Sequence, residues 1–161
     1  MLYLLVKLNN TYINSIKVLS KISLIKLIFL TVIVEISVGV LFTILLSSKK
    51  MIGPEFDTKF EEFLLVVFFA PLLETLIFQY SIISYILEKR PNAYLFSCIF
   101  SAILFGLSHF YSPEYILKTF FSGLLFGSLY LVVKDKNKNS FLIVAVTHSI
   151  YNLIIFFLRL I

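Results

Sequence analysis

At 161 residues, with 60% hydrophobic and only 14% charged side chains and a mean hydropathy of +0.99, the chain falls far below the ~25% charge of soluble domains. That excludes a water-soluble globular fold and leaves room for one membrane domain. The net charge of +5 comes without a basic cluster interleaved with aromatics, so nucleic acid is not an expected partner. The lysines sit at the ends of apolar runs, as the positive-inside rule describes.

In chain order, residues 1 to 23 mix Leu, Val and Ile with Lys7, Asn9, Asn10, Asn14, Lys17 and Lys21. With no uninterrupted apolar core and no small-residue cleavage site, this is expected to be an amphipathic helix on the cytoplasmic face rather than a signal peptide. Five membrane crossings follow, at about Leu24–Leu46, Phe63–Leu87, Ala93–Phe110, Tyr115–Val133 and Phe141–Leu158, each near the ~20 apolar residues a spanning helix requires. The expected fold is therefore all-α, a polytopic membrane bundle with an N-terminal amphipathic helix. Residues 1–62 form the amphipathic helix, first span and loop, and residues 63–161 form a core. Gly53-Pro54 and Lys134–Ser140 mark loops. Gly123 and Gly127, four apart, are expected to let a neighbouring helix approach closely. Cys98, the single cysteine, permits no intrachain disulfide and reads as a small buried hydrophobe.

Five crossings put the termini on opposite sides. With the N-terminus inside, Lys7, Lys17, Lys21, Lys26, Lys89, Arg90, Lys134, Lys136 and Lys138 are inner, against Lys49, Lys50, Lys59, Lys118 and Arg159 outside, nine to five of the fourteen. This favours N-in, in an integral protein of a prokaryotic cytoplasmic membrane, with lipid as its surroundings. The frequent Ile, Lys, Asn and Phe point to an AT-rich microbial genome.

The second span carries Glu74 near its middle, one turn after Pro71, with Gln79 beyond. An acid at helix centre costs ~2.5–3.5 kcal/mol of insertion, and such residues are functional candidates by default. Proline lacks an N–H, so the Val67 carbonyl is expected to lose its helical partner and to need protein or water instead. The third span ends in Phe105-Gly106-Leu107-Ser108-His109. The fifth holds His148 and Asn152, four apart and so on one helical face. His109 and His148 are the two histidines of the chain. Alone, each residue has an ordinary packing reading. An acid, two histidines and an amide on three spans are better explained by a common wet cavity. Glu35, in the first span, lies outside this constellation and is read as structural or accessory.

The set resembles the CPBP family of intramembrane proteases, the CAAX-processing and bacteriocin-processing group also called Abi. That family's pattern is EExxxR, then FxxxH, then HxxxN or HxxxD, on separate helices. Glu74 stands at the first motif, Phe105 and His109 at the second, His148 and Asn152 at the third, in the same order over about Phe63–Ile161. Two positions depart: Thr75 replaces the second glutamate and Gln79 the arginine.

The resemblance implies an endopeptidase acting on membrane-associated or lipidated, CAAX-like polypeptides. In one view of the family, Glu74 is the general base, His109 holds the same water, and His148 and Asn152 donate to the tetrahedral oxyanion. In the rival view Glu74, His109 and His148 bind zinc with water in the fourth position. Thr75 cannot serve as the separate base that view wants, and Asn152 is a poor zinc ligand, so no cofactor is favoured. Depth counting at 1.5 Å per residue places His148 nearer the inner face than Glu74 and His109, which a cavity opening to the cytoplasm would reconcile. Two other readings stay open: an inactive pseudoprotease serving as a membrane scaffold or bacteriocin-immunity protein, and a small proton-coupled transporter. A homodimer could complete so short a bundle.

Overall fold

The structure is a computed structural model that describes residues 2–45 and 54–160. Part of the loop expected after the first span, with Lys49, Lys50 and Gly53, lies outside the described residues, as does the last residue of that span, Leu46. The helices are α1 (Leu2–Leu19), α2 (Leu24–Leu45), α3 (Lys59–Lys89), α4 (Tyr94–Leu107), α5 (Pro113–Asp135) and α6 (Ser140–Leu158). Among the described residues there is no strand.

Four of these, α2, α3, α5 and α6, are long and apolar enough to cross a bilayer. The third expected span is shorter than predicted. At 14 residues, α4 reaches ~21 Å at 1.5 Å per residue, against a hydrocarbon core of ~30 Å. It stops at Leu107 because side chains take over the carbonyl that a further turn would use. Phe105 O accepts from Ser108 Oγ at 2.8 Å and from His109 Nδ1 at 2.8 Å, while the His109 backbone N–H turns to Gly106 O. The chain then restarts at α5, where Ser112 Oγ accepts from the Tyr115 N–H and Pro113 occupies the first turn, a pairing suited to a helix N-terminus.

The α4–α5 pairing is the most extensive helix–helix contact among the described residues. A Cβ on Gly123 would lie 2.9 Å from Ala102 Cα, so only a residue without one allows the two backbones to meet there. The predicted packing role of Gly123 and Gly127 holds, and Cys98 is buried beside Gly127 as expected. The tightest apolar packing joins Ile83, Phe126, Leu131, Val133 and Val144, toward the ends of α3 and α5 and the start of α6.

Helix α1 packs on α4 and α5. It buries Ile16 and the Tyr12 ring, whose hydroxyl pairs with Ser128 Oγ at 2.8 Å. Burial pushes the Tyr12 phenol far above its usual range, so it stays neutral in that hydrogen bond. Asn9 brackets the start of α4, donating to Asn92 O at 2.8 Å and accepting from the Leu95 N–H at 3.0 Å. Lys136 Nζ donates to Ser20 O and Ile22 O, fastening the α1–α2 turn to the end of α5. At the other end of the bundle Glu62 accepts from Lys59 Nζ at 2.7 Å and pairs with Arg159 Nη1 at 3.0 Å, tying the start of α3 to the end of α6.

Candidate active site

Glu74 owes its direction to an irregular helix. Within α3, Leu64–Phe69 and Thr75–Ile82 are wound as π-helix, so that the Ala70 N–H donates to Leu65 O, five residues back. Such turns are rare and concentrate at functional sites. They also change which carbonyl Pro71 leaves free. In α spacing that group would be Val67 O, as expected from the sequence. In π spacing it is Val66 O, and Asn152 Nδ2 of α6 donates to it at 2.8 Å. The proline defect is thus satisfied by protein from the neighbouring helix.

The four predicted residues are brought together. Glu74 Oε1 lies 3.5 Å from His109 Nε2, and Glu74 Oε2 lies 3.8 Å from His148 Nε2. All three, with Asn152, line one cavity of about 230 Å³. His109 sits in the turn after α4 rather than on the helix. Its Nδ1 is committed to Phe105 O, which assigns the proton to that nitrogen and leaves the Nε2 lone pair facing Glu74. His148 stacks on Phe126 with centroids 4.4 Å apart and meets the edge of Phe105. Its Nδ1 is buried without a protein partner. A buried N–H with no acceptor is costly, so the proton belongs on Nε2, pointing at Glu74.

Glu74 is 15 residues from the Lys89 end of α3, and His148 is eight from the Ser140 end of α6. Their contact means these two ends are not level, which resolves the depth mismatch seen in the sequence. Pro54 and Phe56 before α3 and Tyr111 before α5 are among the residues that line the cavity, at the end of the bundle opposite the α1–α2 turn and the turn between α5 and α6.

Thr75 and Gln79, the departures from the motif, are fully buried, and Thr75 Oγ1 and both polar atoms of Gln79 have no protein partner. Being four apart on one helix, a glutamate and an arginine there would pair with each other. Their joint replacement by neutral groups removes both charges at once.

Sequence reasoning left out a second polar group in the same cavity. Glu35, set aside as accessory, is fully buried and lines the cavity with Lys118, Ser122 and Tyr151. Ser122 Oγ donates to Glu35 Oε1, and Lys118 Nζ donates to Tyr151 OH at 3.3 Å. The signal is present for Lys118, an ionisable residue inside the fourth predicted span, although a charge balance across the membrane groups it with the loop lysines.

Glu74, His109 and His148 have the composition of a two-histidine, one-carboxylate zinc set. A metal-bound imidazole normally donates its other N–H to an acceptor. His109 does so and His148 does not. No group of three His, Cys, Asp or Glu side chains among the described residues is arranged to hold a metal. The donor set therefore fits zinc poorly at His148.

No curated protein and no solved structure matches the chain significantly. A family model does. The model described as type II CAAX prenyl endopeptidase, Rce1-like, matches residues 57–154, more than half of the sequence and all of the motif positions. An integral membrane helical bundle, a carboxylate flanked by two imidazoles inside it and this match agree: the chain belongs to the Rce1-like family of CAAX-processing intramembrane endopeptidases.

Proposed function

We propose that the chain hydrolyses peptide bonds of membrane-associated or lipidated polypeptides by a metal-free mechanism with Glu74 as general base. The observation that carries this reading is the pair of Nε2 atoms facing the two oxygens of one carboxylate at 3.5 and 3.8 Å. These separations are too long for direct hydrogen bonds. A water lying off the line between Glu74 and His109 can reach both at ~2.8 Å.

In this reading, Glu74 takes a proton from that water while His109 Nε2 accepts a hydrogen bond from its other O–H, which stays on the oxygen. The resulting hydroxide attacks the scissile carbonyl carbon, and the carbonyl π-electrons move to oxygen. His148 Nε2–H donates to the oxyanion, joined by the Asn152 N–H not used on Val66 O. When the C–N bond breaks, Glu74 returns its proton to the leaving amine. Preorganised donors in a water-poor site are usually the largest contribution to such catalysis. Tautomer and surroundings support the assignment. His109 presents a lone pair, as a water acceptor must, and His148 presents an N–H, as an oxyanion donor must. The orphaned Nδ1 of His148 supports the metal-free version over the zinc version.

The test is cleavage of a fluorogenic farnesylated CAAX peptide by the purified protein, with and without a strong chelator, beside Glu74→Gln. Full activity in chelator and a loss of about 10³-fold in the variant are expected. Chelator-sensitive activity restored by zinc would sink the metal-free mechanism. Equal activity in Glu74→Gln would sink the role of the glutamate. A folded protein that cleaves nothing would favour the pseudoprotease, the reading to which the neutral Thr75 and Gln79 lend support.

A further inference from the structure

The cavity holds a cation that the mechanism does not use. Lys118 lies one turn into α5 and lines the cavity with Glu74 and both imidazoles. Its Nζ donates to Tyr151 OH at 3.3 Å and stands 5.7 Å from the Tyr115 ring centroid and 5.6 Å from that of Tyr151. An ammonium has three N–H donors, and one hydrogen bond with two ring faces is a partial solvation shell. The cation has no carboxylate within ion-pair distance among the described residues. Glu35 is within electrostatic range, but Ser122 holds its Oε1 and no ion pair links it to Lys118. Lys118 thus stands in the reaction cavity with unused donors and two aromatic walls. None of the three motifs contains it.

We propose that Lys118, positioned by Tyr151 and Tyr115, forms a subsite for an anionic oxygen ligand: the terminal carboxylate of the polypeptide being cleaved, or the phosphate of a lipid. The proposal rests on the peptidase reading for what the ligand belongs to, and on cavity geometry alone for its charge. A bound anion completes the shell of the ammonium with charge-assisted hydrogen bonds, which are roughly twice as strong as neutral ones. It also sets how far the chain end lies from Glu74. Lys118 is then a specificity-determining residue, choosing where along a polypeptide the cut falls.

The test reads binding without turnover. The full-length Glu74→Gln protein in detergent is titrated with a dye-labelled, farnesylated nonapeptide ending in a free carboxylate or in a carboxamide. The acid should bind about 10-fold tighter or more, as expected of a hydrogen bond to a charged group. Adding Lys118→Met should erase that difference, and adding Lys118→Arg should keep it, with thermal unfolding confirming that each variant is folded. In a second arm, short-chain phosphatidic acid is compared with the diacylglycerol of the same chains. Lys118-dependent preference for the former, without acid–amide discrimination, assigns the subsite to a lipid phosphate. Equal binding within both pairs, or discrimination that survives Lys118→Met, overturns the proposal. Cleavage by the wild type is read separately. A Lys118-dependent preference without turnover keeps the subsite and removes the peptidase reading, and turnover without the preference does the opposite.

Discussion

Helix α5 passes through two different environments. Its first half presents Tyr115, Lys118, Thr119 and Ser122 to the cavity, and its second half buries Leu129 to Val133 in mainly apolar packing against α1, α3 and α6. The halves of α3 divide in the same order, with Leu65, Val66, Ala70 and Glu74 on the cavity and Ile83 and Leu87 in the core. The bundle thus separates along its length into an end that holds the candidate site and an end dominated by apolar packing. Lipid is as apolar as leucine, so association here depends on packing and interhelical hydrogen bonds. The closed end supplies that cohesion, which lets the open end keep polar groups that pack badly.

This division can be broken experimentally. Glu74→Gln should lower cleavage by about 10³-fold, within the range for removing a general base, while leaving the unfolding temperature nearly unchanged. Large destabilisation by that variant would show that the open end also carries the fold. Asn152→Ala should cost both, since its amide faces the cavity and also holds Val66 O. About 10²-fold in kcat is expected from losing an oxyanion donor, with about 1 kcal/mol in stability from the hydrogen bond. Loss of stability alone would reduce Asn152 to a brace on the Pro71 turn. Leu131→Ala, at a side chain with no exposure, should destabilise by about 2–5 kcal/mol through the cavity left behind, with kcat of the folded fraction unchanged. The smallest effect belongs to Tyr12→Phe. Removing its hydrogen bond to Ser128 should cost about 1 kcal/mol, measured by chemical unfolding in detergent, and nothing in turnover.

Much of this was legible in the residues themselves. Glu74, His109, His148 and Asn152 stood out because lipid excludes such groups, and an excluded group that persists has a partner. The same argument applies to Glu35 and Lys118, whose partners are harder to find. Glu35 had no companion in its own span, and its companion Ser122 sits 87 positions away, across a distance no local pattern reports. The shortened α4 was hidden for a different reason. Past Leu107 the apolar run is interrupted only by Ser108 and His109 before Phe110, while the helix is stopped by an imidazole taking a backbone carbonyl, which hydropathy does not register. The π-wound stretches of α3 were equally invisible, because their hydrogen-bond spacing is set by what α6 and Pro71 offer nearby.

Those π-wound stretches make the aim of Glu74 depend on how the helix is wound. If Leu64–Phe69 rewound as ordinary α-helix with no residue removed, it would hold one residue more than its turn needs. Each residue turns an α-helix by ~100°, so Glu74 would swing round relative to the start of α3. Either Asn152 would lose its carbonyl or Glu74 would leave both imidazoles. A smoother, better-bonded rod would then carry its carboxylate away from both imidazoles, and irregularity in this helix is what keeps the three groups together.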